Sequence, residues 1–549
     1  MTVLSLKRKE LEKIIGKINQ DIENKISMFG TPIENLTEEE ISVEVYPNRP
    51  DLLSMQGFSR AISMFIGKGK IKKYHVKKSK DYKIIIDKSV KEVRPYTACA
   101  VIRKINFDDE KIKEVIDIQE RLHGSYGRDR RRLAIGIYPL EKIKFPIKFL
   151  AKKPEEIRFQ PLDFPRELNG KEILLQHPTG REYAYLLKDL KTFPIFEDSE
   201  GKILSMPPII NSETTGKIIE STKDVFIECS GFNRDYLQKT LNIIVCAIAD
   251  MGGEIYSTEI IDKEKFFSPN LEYEKMVFSI ENINKLIGLN LKEKDIIKLL
   301  RKMGIGYEKN KNKSIALIPP YRTDILHEVD IGEEIAIAYG YEKLIPEIPN
   351  ISTIGEENKI SILKRKISEI LIGLGLIEVS SYHLSTKEKQ FKNLCIKEYK
   401  DDLIEIINSK TENNILRTSL LAQNIQVLSE NLDSSYPQKI FEIGKVFKNN
   451  NSCETKIEEI ERLAISLCHE KANFTEIKQT IDYLMRMLNI NYEIRESEHP
   501  SFISGRCGEI IVNNKPIGFI GEISPYVLSN NKIKMPVASL EISIENLII

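Results

Sequence analysis

The sequence predicts a multidomain α+β protein, and three observations carry that expectation. The chain has 549 residues, which at roughly 100–200 residues per domain means about three to five domains. Hydrophobic residues make up 41% and charged residues 30%, a balance that supports packed cores and argues against global disorder. Strand and helix signals alternate along the whole chain, in four blocks spanning 1–85, 86–260, 270–345 and 350–549.

The same numbers exclude several function classes. Lys+Arg is 82 against Asp+Glu 81, so any nucleic-acid contact must come from local patches and not from a global field. Seven scattered cysteines form no CxxC pair. An odd, unpaired set argues against a disulfide framework and a zinc ribbon, and fits a reducing, cytoplasmic setting. The first residues, MTVLSLKRKELEKIIGK, lack the apolar stretch of a signal peptide, and no run of 18 apolar residues suggests a membrane span.

In the first block, ISVEVY at 41–46 reads as a strand. Pro47 and Pro50 fix an extended turn after it, Asp51 reads as a helix cap, and Leu52, Leu53, Met55, Phe58 and Ile62 give an apolar helical stripe. The lysine-rich stretch 67–83 reads as a solvated linker or edge strand, or else as a phosphate-contacting patch.

The second block has a helix at 110–124, short strands at ILLQHP, SMPPIIN and VFIECSG, and a long helix from about 233 to 251. FPIFEDSEGKILSMPPIINSE reads as a hairpin turning at Gly201. Strand alternation puts Glu228 and Ser230 on one face. With Ser205, Asn211, Ser212, Thr214 and Thr215, set near the Pro207–Pro208 bend, they can line a polar pocket, although Ser, Asn and Pro are also ordinary turn formers. His177 sits at the end of ILLQHP, where it can line a cleft or simply serve the structure. GRDRRR at 127–132 suits RNA phosphates, a partner's acidic face or a solvated loop.

The third block reads strand, helix, helix, strand, helix, a small winged-helix-like or α+β module. Its last helix begins in YRTDILHEVDIGEEIAIAYGY, where Asp324, Glu328, Asp330, Glu333 and Glu334 crowd together. Asp330 pairs with Glu333 and Glu334 at i,i+3 and i,i+4, so these three share a flank, while Ile331, Ile335 and Ala338 face inward. Oxygen ligands at such spacing suit a hard divalent cation. An acidic first turn that serves the helix dipole, paired with Arg322, accounts for them equally. The fourth block reads as helices followed by antiparallel strand pairs. Phosphate-loop, dinucleotide, zincin and nucleophile-elbow motifs are missing throughout.

Six stretches in order, PNRPDLLSMQGFSRAISMFIG, MPPIINSETTGKI, VFIECSGFN, PPYRTDILHEVDIGEEIAIAYGY, NNILRTSLLAQN and IFEIGKVF, resemble the β subunit of phenylalanine–tRNA ligase, archaeal and eukaryotic type. The resemblance runs from near residue 1 to near residue 549. It implies an aminoacyl-tRNA synthetase in which this chain pairs with a catalytic α subunit in an α2β2 tetramer. ATP, phenylalanine and the 3′ end of tRNA-Phe would bind on that α subunit. The four blocks then become an N-terminal α/β module (1–85), an editing-type, tRNA-binding α/β domain (86–260), a winged-helix-like metal-binding module (270–345) and a catalytically inactive class II synthetase-like antiparallel sheet domain (350–549). IFEIGKVF lacks a phosphate-holding arginine and VASLEISIENL lacks a glycine-rich stretch closing on one, in keeping with lost catalysis.

By the same resemblance, Asp324, Asp330, Glu333 and Glu334 would hold Mg²⁺, with Ca²⁺ allowed, and Glu328 stands outside the set. An editing pocket, which removes tyrosine wrongly attached to tRNA-Phe, falls on Ser205, Glu228 and Ser230 with an apolar wall at Phe196. Here the chain departs from the archaeal pattern, which has Asp and Thr where Glu228 and Ser230 stand. Such a pocket has a physical reason to exist: an apolar site rejects one added hydroxyl by only about 10²-fold, so a second site that hydrogen-bonds the phenol is needed. The alternatives are an RNA-binding assembly subunit with an inactive pocket, and a stand-alone deacylase built on residues 86–260.

Overall fold

The computed structural model describes residues 2–311, 313–397 and 403–547. They form two units, 1–348 and 349–549.

In the first unit, strands Thr2–Lys7 and Ile33–Leu36 flank Glu40–Val45 in an antiparallel sheet. The helix that follows, Met55–Phe65, is capped by Ser54, whose hydroxyl accepts from the Gly57 amide at 3.0 Å. Asp51 is therefore not the cap. Pro50–Leu52 makes a tight 3-10 turn that moves the helix start onward, and Asp51 is buried in a two-pronged ion pair with Arg49, both bonds 2.9 Å long.

The large sheet of this unit is built around Val225–Gly231, every residue of which is buried. It runs antiparallel between Tyr96–Arg103 and the edge strand Leu133–Pro139. Alternation sorts its side chains. Val225, Ile227 and Cys229 join the core formed with helices Asp109–Gly124 and Arg234–Asp250. Phe226 packs in a separate cluster with Tyr138 and Phe149, and Glu228 and Ser230 share its face. Strands Phe193–Glu197 and Ile203–Met206 form the expected hairpin, with Gly201 at φ +82° in the turn.

ILLQHP is not a strand. Gly170–Gln176 is a helix, started by a capping box in which Asn169 accepts from the Glu172 amide and Glu172 accepts from the Asn169 amide. That reciprocal cap outweighs the β-leaning Ile-Leu-Leu run.

Residues 274–339 pair Lys313–Ile318 with Glu274–Phe278 on one side and Gly306–Asn310 on the other, the last a strand the sequence reading did not separate. Helices Ile280–Ile287, Glu293–Lys302 and Glu328–Tyr339 pack beside them.

The second unit is a seven-stranded sheet, antiparallel except where the short Ile377–Glu378 joins its edge. Helices Lys359–Gly373 and Phe474–Met487 share one apolar cluster with it, and Leu421–Glu430 contributes to another. Among the described residues no helix is long and apolar enough to cross a membrane, and the seven cysteines are unpaired.

Candidate functional site

A cavity of about 380 Å³ opens where the edge strand Leu133–Pro139 meets the segment 207–211. Its greater part is apolar, walled by isoleucines of the helix Asp109–Gly124, the edge strand and the 207–211 segment. Its polar end holds Ser205, Asn211 and Glu228. Strand pairing explains the grouping. Ser205 lies opposite Asn211 in one ladder, and Glu228 lies opposite Gly136 in another.

Tyr138, two positions along from Gly136 and on the same face, ties the two ladders together. Its hydroxyl lies 2.7 Å from Ser205 Oγ, 3.2 Å from Glu228 Oε1 and 3.4 Å from Asn211 Oδ1. Glycine at 136 makes this possible, because a Cβ there would overlap the Tyr138 hydroxyl and crowd Glu228 Oε1. Sequence reasoning missed Tyr138. The available signal was the register of LAIGIYP against VFIECSG, which a single chain does not announce.

Glu228 is 1% exposed, and its Oε2 has no hydrogen-bond partner. Burial pushes its carboxyl up to about 8, against weaker pulls downward from Arg94, Tyr138 and Ser230. At neutral pH it is therefore predominantly a neutral acid, able both to donate and to accept. Arg94 does not reach it to form an ion pair. The guanidinium donates to Ser230 Oγ at 3.1 Å and to the Ser230 carbonyl at 2.7 Å, and burial lowers it to about 10.

The other anticipated residues lie elsewhere. Ser230 is buried behind the cavity and engaged by Arg94. Phe196 is fully buried, stacked on Phe149 at 4.4 Å, and is not part of the cavity wall. Phe196 sits opposite Ser205 in the hairpin, and its ring is taken up by the cluster of Tyr138, Phe149 and Phe226. His177 is buried at the junction of two helices, 3.1 Å from the Leu162 carbonyl.

His123 does line the cavity, but both ring nitrogens are committed. Nε2 accepts from the Ile135 amide at 2.8 Å and Nδ1 faces Glu120 at 3.3 Å, while burial lowers its pKa. It is a neutral structural group, not a base. Arg130 enters the wall beside it, bound to the Ile209 carbonyl at 2.8 Å and to both Glu120 oxygens at 3.0 and 3.1 Å.

Asp324, Asp330, Glu333 and Glu334 line a second, larger cavity of about 1020 Å³. Arg322, 2% exposed, holds Asp324 through two bonds of 2.8 and 2.7 Å and Glu334 through one of 2.9 Å and a further ion-pair contact at 2.9 Å. Burial would raise Asp324, but Arg322, with Arg49 behind it, holds it down to about 2. Asp330 caps the helix start, accepting from the Leu326 and His327 amides at 2.7 Å. Glu328 accepts from the Ser279 amide at 2.8 Å. Glu333 is exposed. Among the described residues no three such side chains are grouped to hold a metal ion. Of the four expected ligands, Asp324 and Glu334 are engaged by Arg322 and Asp330 by the helix-start amides, so these side chains are not turned together toward a divalent cation.

Comparison with known proteins adds a third line. Residues 345–544 match the family model described as the phenylalanyl tRNA synthetase beta chain CLM domain. Residues 276–341 match the tRNA synthetase B5 domain, and 79–244 the B3/4 domain. The chain is similar to the phenylalanine–tRNA ligase beta subunit of Methanocaldococcus jannaschii, 39% identical over 555 residues that cover 99% of this chain and all of that one. It is 37% identical to the beta subunit of Archaeoglobus fulgidus over 550 residues, 99% of this chain and 98% of that one. A solved N-terminal fragment of the Pyrococcus horikoshii phenylalanyl-tRNA synthetase beta subunit superposes with a TM-score of 0.59 at 34% identity, covering 62% of this chain and 99% of the fragment.

Proposed function

Since the chain belongs to the family of phenylalanine–tRNA ligase beta subunits, we propose that it works as the non-synthetic subunit of that ligase. In this reading it supports ATP-dependent attachment of phenylalanine to tRNA-Phe by a catalytic α subunit, within an α2β2 tetramer in the cytoplasm. It contributes tRNA binding, and it removes tyrosine from misacylated tRNA-Phe in the cavity of Ser205, Asn211 and Glu228. The likeness over 99% of the chain to full-length relatives carries the reading.

The division of labour proposed is an N-terminal module at 1–85, an editing-type domain at 86–260, a winged-helix-like module at 270–345 and a non-synthetic class II-like domain at 350–549. Two ion pairs, one buried and one half-buried, support the last assignment. Arg417 is held by Glu442 at 2.7 Å and Arg462 by Glu541 at 2.9 Å, so neither is free to clamp a triphosphate. In the cavity, the neutral Glu228 and Ser205 suit a phenol hydroxyl, while the isoleucine wall suits its ring. Arg322 already engages Asp324 and Glu334, and no step is routed through a cation at the 324–334 cluster.

The test is reconstitution. The purified chain alone is expected to make no phenylalanyl-tRNA, and to do so once mixed with its α partner; charging by the chain alone at the rate of the mixture would overturn the reading. Ser205→Ala in the mixture is expected to slow hydrolysis of tyrosyl-tRNA-Phe about tenfold, the loss of roughly one hydrogen bond of about 1.4 kcal/mol. One observation favours a second reading, an assembly subunit with an inactive pocket: the Tyr138 phenol already occupies Ser205 and Glu228. Under that reading hydrolysis starts at background, and Tyr138→Phe raises it.

A further inference from the structure

The loop at 127–132, singled out in the sequence by its four arginines, reaches the smaller cavity through Arg130. Arg128, Asp129 and Arg130 stand in the left-handed region at φ 50°, 53° and 61°, which costs non-glycine residues of order 1 kcal/mol each. Backbone bonds hold them there, from the Arg130 amide to the His123 carbonyl and from the Arg132 amide to the Gly127 carbonyl. The result is a sorting of side chains. Arg130 turns inward to the wall of the smaller cavity, while Arg128 and Arg131 are exposed.

Two features of this loop are not those of a solvated turn. First, Arg130 is paired with Glu120, yet Arg128, Arg131 and Arg132 have no carboxylate partner among the described residues. Second, the guanidinium groups lie over tyrosine rings: Arg130 over Tyr183 at 4.4 Å, Arg131 over Tyr185 at 5.3 Å and Arg132 over Tyr236 at 5.2 Å. The Tyr185 hydroxyl donates to the Asp129 carbonyl at 3.3 Å, fixing a ring that is 41% exposed. Tyr236, 36% exposed, also lines the larger cavity. Arginines without a carboxylate partner, held against half-exposed tyrosine rings, match a single strand, whose phosphates take the charge and whose bases stack. An acidic protein surface would use the arginines and leave the rings idle.

We propose that Arg128, Arg131, Arg132, Tyr185 and Tyr236 form a track for a single-stranded RNA 3′ segment entering the cavity at Ser205 and Glu228. The proposal rests on the tRNA reading above and adds the surface that reading lacks.

The test uses the full chain reconstituted with its α partner and a fluorescent single-stranded RNA of about 8 nucleotides, a length within one module's reach. Binding is followed by anisotropy across a salt series. The Arg128→Ala/Arg131→Ala double variant is expected to weaken binding about tenfold and to lower the salt slope by about 1.4, or about 0.7 for each lost phosphate contact. Tyr185→Leu is expected to weaken it roughly fivefold or more, and Tyr185→Phe, which keeps the ring but loses its tie to the Asp129 carbonyl, to weaken it less. Arg131→Lys, which keeps the charge, should recover part of the loss in the Arg131→Ala variant. Unchanged affinity and slope in the double variant overturn the track, as does unchanged RNA binding with lost binding of the α partner or an acidic peptide. Failure of the parent mixture to charge tRNA at all would instead sink the family-level reading, so the two failures are distinguishable.

Discussion

Glu228 and Glu334 are both buried glutamates in the same unit, each with an arginine nearby, and they are handled in opposite ways. Arg322 grips Glu334 and Asp324 with three hydrogen bonds and a further ion-pair contact at 2.9 Å, so both carboxylates have a cation against them. Arg94 passes Glu228 by, spends its bonds on Ser230, and leaves one carboxyl oxygen without a partner. Native proteins rarely leave a buried polar atom unpaired, because each costs about 1–3 kcal/mol. A closed pair is architecture; an open one facing a cavity is a place for a ligand. Carboxylate density, highest at 324–334, is a poorer guide to a site than incomplete satisfaction.

The largest expected effect breaks the closed cluster. Arg322→Met leaves Glu334 buried without a counter-charge and Asp324 with only Arg49, 4.0 Å away, and is expected to cost about 3–5 kcal/mol, read by urea unfolding of the full chain. A loss below about 1 kcal/mol would mean that the cluster is not held by the arginine.

The next effect separates the two regions by the sign of their pH dependence. Glu228 titrates near 8 in the folded chain, above its ordinary value of 4.5. Its contribution is complete below about 4.5 and is lost as pH rises toward 8, at up to about 1.4 kcal/mol per pH unit. Asp324, held at about 2 against an ordinary 3.8, contributes above that ordinary value and loses its contribution as pH falls toward 2. Glu228→Gln should therefore flatten the alkaline limb of a stability–pH profile and leave the acid limb alone. Flattening of the acid limb instead would contradict the assignment. A smaller effect comes from Tyr138→Phe, which removes the hydroxyl shared by Ser205 and Glu228 and is expected to cost about 1 kcal/mol in thermal unfolding.

Much of this was legible in the sequence. The strand VFIECSG, the helix over 234–250 and the hairpin at Gly201 follow from alternation, periodicity and turn chemistry. ILLQHP was misread because its β-leaning residues hide an Asn-x-x-Glu capping box that can be seen in the same stretch. Asp51 was misplaced because a 3-10 turn shifts the helix start by three residues. In the cavity, Ser205 and Glu228 were anticipated, but Tyr138 was not. Its role depends on the pairing of two strands about ninety residues apart, a long-range register that local patterns do not encode.

Glu333 sharpens the comparison at its weakest point. It is exposed, and among the described residues it makes no hydrogen bond or ion pair. The family resemblance ranks it with Asp324, Asp330 and Glu334 as a Mg²⁺ ligand, whereas the geometry makes it a bystander beside an arginine-closed cluster. A solvated glutamate away from any partner changes stability by no more than about 0.5 kcal/mol when made glutamine. Glu333→Gln is therefore expected to unfold with the parent, and to do so equally in magnesium and in chelator. If magnesium stabilised the parent but not Glu333→Gln, a cation would bind there in spite of Arg322, and the two buried clusters would differ less than their hydrogen bonds indicate.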